Sequence, residues 1–286
     1  MEKNEFFDDL RNIGIEPGDD VFLRAALTSL QTPNRRSIID WFIEYLGDEG
    51  TLLIPAYTGT GFLFLKPYPI FDRNSVPTIG SLSKIAVGHP SGKRSDHPTH
   101  SFICFGRKTD FLLDGHDENS PSHLPINRFA ELDGKMVVVG CNRECPGMST
   151  EHAAQYDLGL SQQHFLRYFQ RVNLKGPDGT LRTWTPSECP GCSCKFDRFY
   201  PGYIRTENFR TGLIAGAWTI IVRAKEAYEV DIAMLKENPR LGDCGRLDCF
   251  TCSFRGYHLS RIPLALFALG YRGLRYAFKR MAGRTT

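Results

Sequence analysis

The sequence predicts an α/β fold, because short apolar runs alternate with amphipathic stretches along its first half. Residues 20–24 and 51–56 are short, mostly apolar runs of the kind that form buried strands. Between them, residues 35–46 place apolar side chains at helical spacing, with Asn34 as the expected cap. A strand, a helix and a second strand in this order predict parallel pairing with a helical crossover.

The remaining elements follow from the same two periodicities. An amphipathic start that contains Phe6 and Leu10 predicts a helix that ends at Gly14. Residues 57–80 are rich in proline and glycine, which predicts an irregular loop over a site. Further predicted elements are a short helix at 79–88, strands at 101–105 and 135–140, strands or helices at 165–172 and 180–184, and helices at 224–236 and 262–281.

The length allows one large α/β domain or one domain with a small appendage, and the composition is ordinary for a soluble globular protein. Of the 286 residues, 41% are hydrophobic and 23% are charged, so a sizeable core can be buried. The N-terminus lacks the basic and then apolar pattern of a signal peptide, and no apolar run is long enough to span a bilayer. We therefore expect a cytoplasmic protein with one domain over residues 1–260 and a basic amphipathic helix over residues 261–286.

Five segments carry a resemblance to a known family. They are Gly-Asp-Asp-Val-Phe-Leu-Arg-Ala-Ala-Leu-Thr-Ser-Leu at 18–30, Leu-Gly-Asp-Glu-Gly-Thr-Leu-Leu-Ile-Pro at 46–55, Arg-Ser-Asp-His-Pro-Thr-His-Ser at 94–101, Asp-Gly-Lys-Met-Val-Val-Val-Gly at 133–140 and Thr-Glu-His-Ala-Ala-Gln at 150–155. In this order and spacing they resemble the aminoglycoside 3-N-acetyltransferase family, also called the antibiotic N-acetyltransferase fold. The resemblance implies a three-layer α/β/α domain that binds acetyl-CoA in a cleft and passes the acetyl group directly to an amine.

The resemblance assigns the chemistry to His152. The family's histidine, in a Thr-x-His-x-Ala-Glu motif, falls on this residue, and the motif departs here only at its last position, Gln155. Imidazole titrates near working pH, so its neutral form can take a proton from the amine while the nitrogen attacks the thioester. We therefore predict that His152 is the general base. The alternative is a histidine that only satisfies hydrogen bonds within the fold.

Two polar segments are predicted to bind the coenzyme. Family members usually carry His-Ser-Ser-Leu-Ser in the first, which wraps the pantetheine and diphosphate, and this chain departs clearly at its first position. Guanidinium and hydroxyl groups suit phosphates, but either segment could also be an ordinary turn held by internal hydrogen bonds. The predicted contacts are Arg24, Ala25, Leu27, Thr28 and Ser29 in the first segment and Arg94, Ser95, His97 and Ser101 in the second.

The predicted acceptor site consists of Gln155, Asp157 and Tyr57. The family usually has a glutamate where this chain has Gln155, and a neutral amide cannot neutralise an ammonium group. If a carboxylate is needed there, Asp157 or Glu151 would have to supply it. We therefore expect an amino sugar or a sugar nucleotide as the acceptor, rather than a polycationic antibiotic.

Nine cysteines in a cytoplasmic chain favour reduced or metal-bound thiols over disulfides. Six of them lie in two cysteine-rich insertions, at about 186–196 and 243–254. Two Cys-x-x-Cys pairs can supply four thiolates to a tetrahedral zinc ion. The predicted zinc ligands are Cys189, Cys192, Cys249 and Cys252, with Cys194 and Cys244 left over. The main alternative is six reduced cysteines packed as small apolar side chains, and an iron–sulfur cluster is a further one.

The positive charge of the chain is concentrated at its C-terminus. Residues 249–286 contain seven basic residues and no acidic one, and subtracting those seven charges from the net +3 leaves −4 for residues 1–248. A basic amphipathic helix can lie on an anionic membrane surface, bind a protein partner or simply cover the domain. No nucleic-acid-binding motif accompanies the charge. A homodimer is a further candidate assembly, and a non-catalytic scaffold that uses the zinc module and the basic tail is the competing function.

Overall fold

The computed structural model describes residues 1–246 and 249–255, together with scattered residues between 263 and 278. The strands of this part of the chain are β1 (Asp20–Ala25), β2 (Thr51–Pro55), β3 (Gly61–Phe62), β4 (Ile70–Phe71), β5 (Lys93–Arg94), β6 (Phe102–Gly106), β7 (Lys135–Val139), β8 (Gln170–Lys175), β9 (Leu181–Trp184), β10 (Arg210–Ile214) and β11 (Ala217–Arg223). The α-helices are α1 (Lys3–Asn12), α2 (Ile38–Leu46), α3 (Ser81–Val87), α4 (Thr109–Leu113), α5 (Leu124–Glu131), α6 (Thr150–Asp157), α7 (Tyr200–Tyr203), α8 (Ala224–Glu237) and α9 (Phe250–Ser253). Short 3₁₀ helices occupy Leu27–Ser29, Arg35–Ser37, Phe165–Phe169 and Phe196–Phe199.

Seven strands form the main sheet, in the order β10–β11–β7–β1–β2–β6–β5. β1 lies at its centre and pairs in parallel with both β2 and β7, which confirms the predicted parallel pairing. The other pairs are antiparallel, so the sheet as a whole is mixed. The carboxyl ends of β1, β2 and β7 therefore meet at one edge, which is where ligands bind in open α/β sheets.

Helices cover both faces of this sheet, because successive side chains of a strand point to opposite sides. On β1, Val21 and Leu23 pack into one apolar cluster with α1, α2 and α3. Phe22, between them, packs into a second cluster with α4, α5, α6 and α8. The core therefore lies in two layers, one on each side of the sheet, as the predicted three-layer α/β/α arrangement requires.

Two regions differ from the prediction. Residues 57–80 are not wholly irregular, since they contain β3 and β4, which pair with β8 in a second, small sheet that also includes β9. The hairpin of β10 and β11 is missing from the predicted elements. Its turn is Ala215-Gly216, with φ angles of 49° and 71°, the geometry of a tight turn between twisted strands.

The C-terminal segment is described only in part. Its described residues between 263 and 278 are helical, and the side chains of Leu266, Phe267, Leu274 and Phe278 are more than half exposed. The rest of the helix predicted over 262–281 lies outside the described residues. In the described part of the chain, no helix is both long enough and apolar enough to cross a membrane. The division into a domain over 1–260 and a C-terminal helix stays a prediction.

Candidate active site

A cavity of about 330 Å³ opens at the carboxyl edge of the central strands. The end of β1 contributes Arg24 and Ala25, the segment after β2 contributes Tyr57, and α6 contributes His152. The first three converge because β1 and β2 are parallel neighbours that end at the same edge. The other lining residues are Leu23, Ala26, Pro55, Ile79, Gly80, Leu82, Ser83, His100, Cys141, Cys145, Pro146, Ser149, Pro190, Gly191, Ser193 and Phe196.

The ring of His152, in the first turn of α6, is held by a hydrogen bond and by aromatic contacts. Its Nδ1 lies 3.2 Å from Oε1 of Gln155, one turn later. The rings of His123 and Phe196 pack against it, each with its centroid 4.8 Å away. Gln155 Oε1 also accepts a hydrogen bond from the backbone N–H of Gly191, at 3.4 Å. Because an amide oxygen only accepts, the imidazole proton is on Nδ1, and Nε2 keeps its lone pair.

Burial controls the ionisation of this imidazole. It lowers the pKa of His152 to about 4; the hydrogen bond with Gln155 opposes the shift, and the charges of Arg24 and Arg255 add to it. The ring is therefore neutral at pH 7, which is the form that can accept a proton.

Tyr57, which was predicted to contact the acceptor, lies at the cavity beside two further imidazoles. Its hydroxyl is 3.1 Å from Nε2 of His123, and its ring centroid is 4.8 Å from that of His100. Burial raises the pKa of Tyr57 and lowers the pKa of His100 to about 3. Burial also lowers the pKa of His123 well below its usual value. These three groups are therefore uncharged at pH 7.

Arg24 lines the cavity, but its guanidinium is bound to the loop that precedes α6. Nη1 donates to the Gly147 carbonyl at 2.7 Å, and Nη2 lies 2.6 Å from the Cys145 carbonyl oxygen and 2.7 Å from its Sγ. The side chain thus ties this loop to the end of β1. Arg24 and Ala25 are the two predicted coenzyme contacts of the first segment that line the cavity.

Leu27, Thr28 and Ser29 are not among the residues that line the cavity. Leu27 is buried in the core, Thr28 is exposed, and Ser29 Oγ donates to the Ala26 carbonyl at 2.6 Å. The backbone N–H of Ala26 donates to the Val139 carbonyl and that of Ser29 to the Ala26 carbonyl. Neither N–H is therefore free to stabilise the negative charge that develops on the thioester oxygen when an amine attacks. These positions support the alternative that the sequence left open, an ordinary turn after a strand.

The second predicted coenzyme segment is buried and engaged in internal hydrogen bonds. Arg94 donates to the Ala56 carbonyl and to Ser101 Oγ, each at 3.0 Å. Ser95 Oγ accepts from a backbone N–H at 2.9 Å, and His97 Nδ1 accepts from two backbone N–H groups. None of Arg94, Ser95, His97 and Ser101 lines the cavity. Their positions do not support coenzyme binding and favour the structural alternative.

Neither carboxylate that was considered as a replacement for the family's glutamate is hydrogen-bonded to His152 in the described structure. Asp157 Oδ2 accepts hydrogen bonds from Asn127 and Tyr228, both at 2.6 Å, and does not line the cavity. Glu151 is buried, and its oxygens accept from a backbone N–H and a tyrosine hydroxyl. The position of Asp157 therefore does not support its predicted contact with the acceptor, and the partner of His152 is the amide Gln155.

Four cysteine sulfur atoms lie within 4.8 Å of one another, and they belong to Cys192, Cys244, Cys249 and Cys252. Three of the four predicted zinc ligands are thus brought together, while Cys244 takes the place predicted for Cys189. Cys189 is buried instead in an apolar cluster with Leu166 and Phe254. The sequence signal that could have identified Cys244 is its short spacing from Cys249, which puts three cysteines in one short segment.

Comparison with known proteins extends the resemblance along the chain. The family model described as aminoglycoside 3-N-acetyltransferase matches residues 26–236. The chain belongs to the aminoglycoside 3-N-acetyltransferase family. The matched range includes α6, β11 and nearly all of α8, well beyond the first 160 residues that carried the resemblance. The predicted class of enzyme, an acyltransferase, is thereby confirmed at the level of the family.

Relatives in this family are distant in sequence but similar in length or fold. The chain is 22% identical over 261 residues to aminoglycoside N(3)-acetyltransferase III of Serratia marcescens, covering 80% of this chain and 95% of that protein. It is 23% identical over 177 residues to the SPbeta prophage-derived aminoglycoside N(3')-acetyltransferase-like protein YokD of Bacillus subtilis (strain 168), covering 54% of this chain and 64% of that protein's length. The solved structure of AAC-IIIb binary with CoASH has a TM-score of 0.68 and 20% identity, with 86% of this chain and 99% of that chain covered. This likeness confirms the mixed α/β fold.

Proposed function

We propose that the chain transfers an acetyl group directly from acetyl-CoA to an amine in the cavity, with His152 as the general base. The observation that carries the proposal is the pairing of His152 Nδ1 with Gln155 Oε1 at 3.2 Å. This pairing keeps the ring proton on Nδ1 and leaves Nε2, on a residue of the cavity wall, as the proton acceptor.

In this mechanism the ring acts first as a base and then as an acid. Nε2 takes a proton from the acceptor amine as its nitrogen attacks the thioester carbonyl carbon and forms the C–N bond. The tetrahedral intermediate collapses with cleavage of the C–S bond, and the proton on Nε2 passes to the departing thiolate. Coenzyme A leaves as its thiol, so no covalent acyl-enzyme is needed.

The donor is proposed from the family and from the relative whose solved structure contains CoASH. In this chain, Ala25 and Ala26 form the cavity wall at the end of β1. Small side chains there let a ligand approach the backbone closely. Arg24, whose guanidinium is held by the loop before α6, adds a fixed positive charge that favours the anionic coenzyme.

The acceptor is proposed to be an amino sugar or a sugar nucleotide. The described residues that line the cavity include no aspartate or glutamate, and Arg24 contributes a positive charge. A polycationic antibiotic would find no ion pair on this wall and would be repelled by that charge. An amine with a neutral or anionic remainder avoids this cost, and Gln155, as a neutral amide, agrees with such an acceptor.

Coenzyme A release with a panel of amines tests the reaction and the acceptor together. We expect turnover with amino sugars or amino-sugar nucleotides and little with gentamicin or sisomicin. Acetyl-CoA alone should stabilise the protein by about 3 kcal/mol at roughly one hundred times its Kd. The absence of any stabilisation would overturn the enzyme in favour of the scaffold, whereas efficient acetylation of the two antibiotics would overturn the acceptor alone.

We also propose that Cys192, Cys244, Cys249 and Cys252 hold a structural zinc ion. The Sγ atoms of Cys244 and Cys252 are 3.6 Å apart. A tetrahedron with zinc–sulfur bonds of about 2.3 Å has edges of about 3.8 Å, whereas the two sulfurs of a disulfide are about 2.05 Å apart. The spacing therefore fits ligands around one ion, and four thiolates with no open position are the donor set of a structural site.

We propose that the protein is cytoplasmic and that its C-terminal helix lies on an anionic membrane surface. Its described part exposes Leu264, Phe267, Tyr271, Leu274 and Phe278 at intervals of three and four residues, which places them on one face. Charge complementarity comes from residues 249–286, which are basic without an acidic residue. Co-sedimentation of the full chain with anionic vesicles, but not with zwitterionic ones, is the expected result. Light scattering tests the alternatives, a homodimer or a complex with a protein partner.

A further inference from the structure

We infer that the four-cysteine cluster fixes the tautomer of His152 through Gly191 and Gln155. The consequence for catalysis rests on the proposed role of His152, although the contacts do not. The connection is a short segment, residues 189–193, which we call the bridging loop. Cys192 in this loop belongs to the cluster, and its neighbours on both sides line the cavity. The bridging loop therefore lines the cavity and also supplies one sulfur atom to the cluster.

The bridging loop approaches Gln155 so closely that a Cβ at position 191 would crowd the amide, which would have to move by a few tenths of an ångström. A Cβ at Gly191 would lie 3.0 Å from Gln155 Oε1 and 3.4 Å from Nε2. The backbone N–H of Gly191 donates to the same Oε1 at 3.4 Å. The loop thus presents a hydrogen-bond donor to the amide, and the amide oxygen accepts the hydrogen bond.

The two orientations of this amide have opposite consequences for His152. With Oε1 toward the ring, the imidazole proton stays on Nδ1 and Nε2 can act as a base. With the amide nitrogen toward the ring, Nδ1 would have to accept, and the proton would move to Nε2 and block the base. In the described structure the Gln155 nitrogen is buried and has no hydrogen-bond partner. The orientation of the Gln155 amide is therefore set by the contacts of its oxygen. In the opposite orientation an NH₂ group would face the Gly191 N–H and be repelled.

The cluster anchors the bridging loop to a second segment, residues 243–255. Three of the sulfur atoms come from that segment, on Cys244, Cys249 and Cys252. A buried ion pair, Arg255 with Asp243 at 2.6 Å, lies in the same segment. A metal ion bound by all four sulfurs would tie Cys192 to this segment and hold the neighbouring Gly191 N–H in place. Loss of the ion would leave four thiols with no common ligand.

Gly191→Ala tests the connection without removing a sulfur ligand. The side-chain ¹⁵N shifts of His152, measured by NMR in the full chain, report which ring nitrogen carries the proton, and elemental analysis reports zinc. We expect this variant to keep its zinc and, because its Cβ crowds the Gln155 amide, to weaken the hydrogen bond that holds the ring proton on Nδ1. The His152 ¹⁵N shifts should therefore change, and coenzyme A release should slow about tenfold. A variant with unchanged His152 shifts would overturn the inference.

Cys252→Ser, with Cys194→Ser as the matched control, tests the metal. Cys194 is exposed and lies outside the cluster. We expect the first variant to lose zinc and the Nδ1–H signature together, and the second to keep both. If Cys252→Ser does not fold, chelation and zinc re-addition on the unmodified protein give the same comparison.

Purified protein without zinc, or zinc-free protein that keeps the tautomer, would overturn the inference. The NMR signature is read without substrate. A failure of the proposed acetyl transfer would therefore show in coenzyme A release alone, and the two failures can be told apart.

Discussion

Gln155 Oε1 accepts a hydrogen bond from His152 Nδ1 across one turn of α6, at 3.2 Å. At this position the family pattern has a glutamate, so this chain keeps the orienting hydrogen bond and loses the charge. A carboxylate would stabilise the imidazolium form, whereas a neutral amide does so only weakly. Burial then prevails and lowers the pKa of His152 to about 4. The chain therefore presents a well-oriented but weak base.

Gln155→Glu should raise the pKa of His152 by about one unit or more, because a nearby negative charge favours the protonated ring. An NMR titration of the His152 ring should have its midpoint near pH 4 in the unmodified protein and higher in the variant. Since the neutral ring is the active form, the base would be lost at a correspondingly higher pH as the solution is acidified. Gln155→Ala, which removes the hydrogen bond without adding charge, should not raise the midpoint. An unmoved midpoint in Gln155→Glu would contradict the assignment.

His152→Ala should slow coenzyme A release by about 10²–10⁴-fold, the usual contribution of a general base. Stabilisation by acetyl-CoA should remain, because the ring is proposed to act on the amine. His89→Ala is the matched control, since His89 pairs with Asp40 at 2.9 Å and does not line the cavity. Both variants are compared by thiol release and by thermal unfolding with acetyl-CoA. Full activity of His152→Ala would refute the mechanism.

The central strands could be predicted because their apolar runs are fully buried in the sheet. Residues 20–24, 51–56 and 135–140 all became strands of the main sheet, within one residue of the expected ends. The hairpin of β10 and β11 is missing from the prediction although β11 is mostly apolar and Ala215-Gly216 forms a tight turn before it. The residue pattern of a five-residue strand is a weak signal by itself. β11 moreover pairs with β7, which lies about eighty positions earlier in the chain.

Membership of a motif did not decide which predicted residues lie at the cavity. His152, from a motif, and Tyr57, from outside all five segments, both line it. Arg94 and His97 do not, because a polar residue in a sequence gives no sign of whether its partners are a ligand or the backbone of its own fold. The contact of Gly191 with Gln155 is invisible in the sequence for the same reason, since it depends on the tertiary placement of a loop.

Metal content separates the two sets of zinc ligands. Cys244→Ser should reduce zinc clearly below one ion per chain, because its sulfur lies in the cluster. Cys189→Ser should keep the full amount, because Cys189 is packed against Leu166 and Phe254 instead. Elemental analysis of both purified variants is the measurement. Full zinc in Cys244→Ser together with loss in Cys189→Ser would restore the set predicted from sequence.

Two buried carboxyl groups, one on α6 and one on α8, share one tyrosine. The hydroxyl of Tyr203 lies 2.9 Å from Glu151 Oε1 and 2.5 Å from Asp231 Oδ1. A hydroxyl has one proton and cannot donate to two carboxylates at once, so one carboxyl group must carry a proton of its own. Burial and the neighbouring Glu151 raise the pKa of Asp231 well above its ordinary value of 3.8. Glu151 is the more favourable site for the negative charge, because both of its oxygens accept from the Met148 backbone N–H. Asp231 is therefore the protonated member.

Asp231→Asn should make the protein relatively more stable as the pH rises. A carboxyl whose folded-state pKa is raised contributes stability below its unfolded-state pKa and loses it as pH rises through the folded value. An amide imitates the protonated acid and removes that loss, which is worth about 1.4 kcal/mol for each unit of pKa shift. Urea unfolding at pH 5 and at pH 8 should show that the free energy of unfolding of the variant, relative to that of the unmodified protein, is higher at pH 8. Asp8→Asn, in an exposed pair with Arg11, should differ by less than about 0.5 kcal/mol at either pH. If the relative free energy of unfolding of the variant is instead lower at pH 8 than at pH 5, Asp231 is charged in the folded state.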